Sequence, residues 1–193
     1  VPVAGRETGP IARVHLAGCV FQPPCWRLKF LKAGDRGPSL LEDFILRETQ
    51  RLIETHHDSS FGAMLNVAVA PCSPFSVSRG LMRDSADLAR SFKGQNVRLH
   101  THLAENDHDI AYSRDKFNRT PAQYAQDLGW LGDDVWHAHC VKLDAHGIDL
   151  FARTGTGVAH CPTSNFFLGS GYLDVFRSMQ KERPVRVGLG TDL

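Results

Sequence analysis

No run of about 18 consecutive apolar residues occurs in the 193 residues, so no membrane-spanning helix is expected. Neither sign of charge is in excess. The 22 basic and 21 acidic residues leave a net charge of +1, which removes the electrostatic case for nucleic acid or a membrane surface as partner. The opening Val1-Pro2-Val3-Ala4-Gly5-Arg6 has no basic-then-apolar signal pattern and no initiator methionine, and the chain is expected to be a piece of a longer protein. Cysteine is sparse and odd in number. Cys72, Cys140 and Cys161 stand singly near apolar runs, which fits thiols in a reducing cytoplasm better than a disulfide framework. Cys19 and Cys25 have two prolines between them and no His or Cys pair nearby, so they are read neither as a disulfide nor as a metal site.

What remains is an ordinary globular composition, 42% hydrophobic and 22% charged, with enough apolar content for a core. Residues 1–37 are rich in Gly, Pro and Arg, and read as an irregular N-terminal segment with short apolar pieces at Val14–Leu16 and Trp26–Leu31. From residue 38 to 193 a single domain is expected. Leu40, Leu41, Phe44, Ile45, Leu52 and Ile53 recur at helical spacing after Pro38-Ser39. Strands are expected over 64–71, 97–103, 135–141, 157–161 and 185–190. Helices are expected over 76–92, 111–128 (interrupted or re-capped at Thr120-Pro121), 144–153 and 173–180. Five strands with a helix between each pair and no hairpin signals imply parallel strands joined by right-handed crossovers. An open doubly wound sheet and a closed (β/α)8 barrel both satisfy that order. Ala70-Pro71-Cys72-Ser73-Pro74 stands where a glycine-rich phosphate loop would follow the first of these strands, which counts against the open sheet.

The polar residues at the strand ends favour the barrel. His102 and Glu105, His137 and His139, His160, and Asp192 end four consecutive strands. In an open sheet only the strands near the switch point share a site, whereas in a barrel every strand end rings one mouth. His100 and His102 lie two apart and share a face of a regular strand. Glu105 has the opposite parity and can join them only if the strand ends near Ala104. A histidine for a metal with a carboxylate three residues on for a proton is a hydrolase-like pairing.

His-Thr-His-Leu-Ala-Glu (100–105), His-Ala-His-Cys (137–140), Ala-His-Cys-Pro-Thr-Ser-Asn (159–165) and Gly-Leu-Gly-Thr-Asp (188–192) together resemble the amidohydrolase superfamily. The resemblance is closest to its branch of aminohydrolases of purines, pyrimidines and s-triazines. It implies a partial TIM-type α/β barrel, the carboxyl-side portion comprising about strands 4–8. It also implies one divalent metal, Zn²⁺ or Fe²⁺, held by His102 and Asp192. Glu105, His139 and Asp192 would be catalytic: Asp192 takes a proton from a metal-activated water, Glu105 protonates a ring nitrogen, and His139 donates to the developing oxyanion. Cys72, His139, His160 and Asn165 are assigned to the substrate. Residues 64–71 contain no lysine, which favours a mononuclear site over one bridged by a carboxylated lysine.

The implied reaction is hydrolytic deamination of a small purine-like molecule. Residues 67–140 look like 8-oxoguanine deaminases, while 160–192 look more like guanine deaminases. 8-Oxoguanine is preferred, then guanine, then an s-triazine. The other zinc deaminase type is not supported, since no Pro-Cys-x-x-Cys occurs. The family's first-strand His-x-His has no counterpart before His100. A rival of another class is therefore a non-catalytic piece of the barrel. A homo-oligomer is left open.

Overall fold

The computed structural model describes residues 14–18, 40–180 and 182–192. Four of the helices begin where a polar side chain caps the first turn. Strand β1 (Val14–Gly18) is followed by α1 (Leu40–His56), β2 (Leu65–Val69), α2 (Arg79–Ser91) and β3 (Arg98–Leu103). The Ser78 side chain caps α2 by accepting from Leu81 N. After β3 come α3 (Asp107–Phe117), capped by Asn106, and α4 (Pro121–Asp127), started by a Thr120/Gln123 capping box with proline at its first turn. The expected interruption at Thr120-Pro121 is therefore a full break. β4 (Val135–His139), α5 (Ala145–Thr154), β5 (Gly157–His160), α6 (Pro162–Phe167), α7 (Val175–Met179) and β6 (Arg186–Leu189) complete the order.

Among the described residues six strands run parallel and pair in the order β1-β2-β3-β4-β5-β6. That order has no reversal. A doubly wound sheet reverses at a switch point, whereas right-handed crossovers that always step the same way put every helix on one face. The sheet is thus an arc of a singly wound barrel. Leu99, Thr101 and Leu103 are buried on the helix side of β3, and Val135, His137 and Val158 match that side in the neighbouring strands. Met82, Tyr124, Leu128, Trp130, Ile148 and Phe151 complete this layer. His100 and His102 alternate onto the other face, only half-buried.

Two elements differ from expectation. Val14–Gly18 is a strand paired with β2 along its whole length, so part of the 1–37 segment belongs to the sheet. A five-residue run is too short for periodicity to reveal, and its partner supplies the hydrogen bonds that define it. The sheet accordingly begins one strand before the five expected. α6 was also not expected, being little more than one turn begun by Pro162. Cys19, Cys25 and the 26–31 apolar piece lie outside the described residues. Among the described residues no helix is long and apolar enough to cross a membrane.

Candidate metal and catalytic site

The carboxyl ends of β3, β4 and β6 converge because the backbone turns sharply at each of them. Ala104, His139, Cys140 and Asp192 all have positive φ, at 50°, 66°, 55° and 52°. These are left-handed conformations that non-glycine residues adopt at a cost of order 1–3 kcal/mol. At Ala104 the turn ends β3 and reverses the parity that would send Glu105 to the helix side. His139 pairs across from Leu103, a helix-side position, and its turn brings the ring against His102 with centroids 5.2 Å apart. At the end of β6, Gly190 passes so close to Cys161 that a Cβ there would lie 2.8 Å from the Cys161 sulfur. Its N–H donates to the His160 carbonyl at 2.8 Å, and Asp192 follows.

Among the described residues, His102, His139 and Asp192 form one group whose potential ligand atoms all lie within 4.8 Å of one another. His102 Nε2 is 3.6 Å from Asp192 Oδ1, and His139 Nε2 is 3.5 Å from Asp192 Oδ2. Two ligands each about 2.1 Å from a tetrahedral ion lie about 3.4 Å apart, so the spacing fits a shared divalent metal. The tautomer of His102 fits as well. Its Nδ1 donates to the Cys72 carbonyl at 2.5 Å, and a carbonyl can only accept. The Nε2 lone pair is therefore directed at the site, the arrangement that orients metal-binding histidines. The Cys72 carbonyl also accepts from His102 N at 3.0 Å, and the Pro71 carbonyl accepts from Thr101 Oγ1 at 2.7 Å. Cys72 thus reaches the site through its main chain.

Glu105 Oε2 lies 3.9 Å from His139 Nε2, its side chain about four-fifths buried. Its backbone N–H donates to Asp109 Oδ2 at 2.9 Å. Burial first, opposed by that hydrogen bond, raises the Asp109 pKa. Ser164 Oγ donates to Asp192 Oδ2 at 2.7 Å, and the Asn165 amide meets His139 Nδ1 at 3.0 Å. Asp109 and Ser164 were not anticipated from sequence. Asp109 belongs to the polar run that caps α3, and the only signal for Ser164 was its place beside Asn165 in Cys-Pro-Thr-Ser-Asn.

The other histidines stand apart. His137 is fully buried against Phe151, with Nε2 at 3.0 Å from the Trp130 carbonyl, and burial depresses its pKa to about 4. His100 stacks on Trp136 at 5.0 Å and is lowered to about 4, chiefly by burial and then by the nearby His102. His160 is buried, its pKa is lowered by burial, and it lies outside the ligand group.

A sequence profile of the amidohydrolase family matches residues 12–193. The 8-oxoguanine deaminase of Pseudomonas aeruginosa is 39% identical over 148 residues, which are 77% of this chain and 32% of that protein. An isoxanthopterin deaminase from an unknown prokaryotic organism is 41% identical over 155 residues, 79% of this chain and 31% of that protein. The chain therefore spans about a third of the length of the curated relatives it matches. Among solved structures, an atrazine chlorohydrolase from Arthrobacter aurescens TC1 complexed with zinc superposes with a TM-score of 0.71 at 29% identity, covering 78% of this chain and 32% of that one.

Proposed function

The chain belongs to the amidohydrolase family, and on that premise we propose that it supplies the carboxyl-side half of the catalytic centre of a metal-dependent deaminase acting on an aminopurine, 8-oxoguanine foremost. The observation that carries this reading is the meeting of His102, His139, Asp192 and Glu105 at the ends of three parallel strands. His102 Nε2 and the Asp192 carboxylate would hold a divalent metal, zinc before iron. A metal bound there would lower the pKa of its water from about 15.7 toward about 7, making a nucleophile available at neutral pH.

The chain's own groups handle the protons. Asp192 Oδ2, steadied by the Ser164 hydroxyl, accepts the proton released as water adds to the amino-bearing ring carbon. Glu105 Oε2 carries a proton to the adjacent ring nitrogen; the proton held by Asp192 then passes to the amino group, which leaves as ammonia, while the added hydroxyl returns its proton to Glu105. His139 Nε2 donates to the oxygen that is being added. The preference for 8-oxoguanine is supported by the 39%-identical relative and by the run Asn106-Asp107-His108-Asp109-Ile110-Ala111-Tyr112-Ser113.

Ammonia release by the metal-loaded full-length protein, with 8-oxoguanine, guanine and an amino-s-triazine as substrates, tests the reading. The expected order of kcat/KM is the order in which they are named. A reversal of the first two makes it a guanine deaminase. No release from any of the three, with metal confirmed bound, returns the chain to a non-catalytic role.

A further inference from the structure

His102 and His139 present the same ring nitrogen to the site, but their opposite nitrogens are held by different chemistry. The backbone carbonyl on His102 Nδ1 leaves no choice of tautomer. The Asn165 amide on His139 Nδ1 does leave one, because an amide can donate through Nδ2 or accept through Oδ1. Donation leaves His139 as Nε2–H. Acceptance leaves a Nε2 lone pair able to bind a metal.

Two observations decide between these states. His139 Nε2 faces two carboxylates, Asp192 Oδ2 at 3.5 Å and Glu105 Oε2 at 3.9 Å. An N–H pointed at them is attractive, whereas a lone pair pointed at them is repulsive. On the far side of the amide, Asn165 Oδ1 is buried and has no hydrogen-bond partner among the described residues. Reversing the amide would orphan an NH2 there instead. Orphaned buried N–H groups are rarer in folded proteins than under-satisfied carbonyls. Asn165 is itself fully buried in α6, its main chain tied at both ends by Asn165 N to the Cys161 carbonyl at 3.0 Å and Ser170 N to the Asn165 carbonyl at 2.9 Å. It therefore has no surface to offer a substrate.

We propose that Asn165 is a positioning residue: it donates to His139 Nδ1, holds that ring as the Nε2–H tautomer, and so keeps His139 a hydrogen-bond donor and outside the metal's ligand set. The identity of the acceptor rests on the deaminase reading above, whereas the tautomer does not.

Long-range ¹H–¹⁵N NMR of the histidine-labelled, metal-free full-length protein reads the tautomer directly, with the His139 signals assigned by their loss in His139→Gln. In the wild type Nδ1 should be unprotonated and Nε2 protonated. In Asn165→Asp, Nδ1 should become protonated, because a carboxylate can only accept, and kcat should fall about 10- to 100-fold. A proton on His139 Nδ1 in the wild type overturns the inference. An unchanged tautomer in Asn165→Asp overturns it equally. Should that variant not fold, the wild-type spectrum alone decides. The stated tautomer in a protein inactive on all three substrates would sink the deaminase reading and leave this one standing.

Discussion

Glu105 is where a catalytic and a solvated carboxylate make the most different predictions. Its side chain is mostly buried, it lies 3.9 Å from His139, and its main chain is held by Asp109. Glu105→Gln keeps size and hydrogen bonding but cannot transfer a proton, so kcat is expected to fall by on the order of 10²–10⁴, about 3–5 kcal/mol of barrier. Metal content measured on the same sample should stay unchanged. Loss of metal along with turnover would make Glu105 a ligand, and retention of both would make it a bystander. His102→Ala and Asp192→Ala should behave in the opposite way, each losing most of the bound metal by elemental analysis. A full complement in both would refute the assignment of these two as ligands. At this scale His102, Glu105, His139 and Asp192 can be picked out from the sequence motifs, whereas their supports cannot. Ser164 and the Asn165–His139 contact depend on a six-residue helix too short to carry a readable periodicity.

At the scale of the element, the strand ends are the telling feature. Period-two alternation puts His100 and His102 on one face and Leu99, Thr101 and Leu103 on the other, and the structure agrees. The same rule alone misplaces Glu105 and His139, which reach the site only through left-handed residues at the ends of β3 and β4. His137 obeys the rule and is a core residue of β4, packed under α5. Its pKa of about 4 lies below the usual 6.5, so in the pH range between them the unfolded chain binds a proton that the folded chain refuses. The stability that the neutral ring contributes is full above pH 6.5 and is lost as pH falls toward 4, a change on the order of 3 kcal/mol. Denaturant melts of wild type and His137→Gln from pH 7 to 4 should show a shallower decline in the variant. Parallel declines would mean that His137 is not the group responsible.

For the molecule as a whole, the sheet of described residues has β1 and β6 as its outer strands, and Phe166, Phe167, Leu168, Tyr172 and Leu189 are exposed. An open parallel edge beside exposed large apolar side chains favours association. The 193-residue chain by itself is expected to sediment as species heavier than its 21.4 kDa monomer. A monodisperse monomer with a sharp cooperative melt would contradict this.

Local chemistry was legible from the residues alone. Cap residues such as Ser78, Thr120 and Asp144 announce helix starts because their side chains bond the first free N–H groups, whereas Asn106 caps α3 at Asp107, ahead of the start expected at 111. The strict alternation of strand and helix likewise settled that the strands are parallel, since no short turn can join them. Tertiary structure decided what depends on partners far along the chain. Strand order without a reversal selected the barrel arc, β2 made Val14–Gly18 a strand, and the Cys72 carbonyl, 30 residues away, fixed the tautomer of His102. These are long-range hydrogen bonds, and no window of local sequence contains both of their ends.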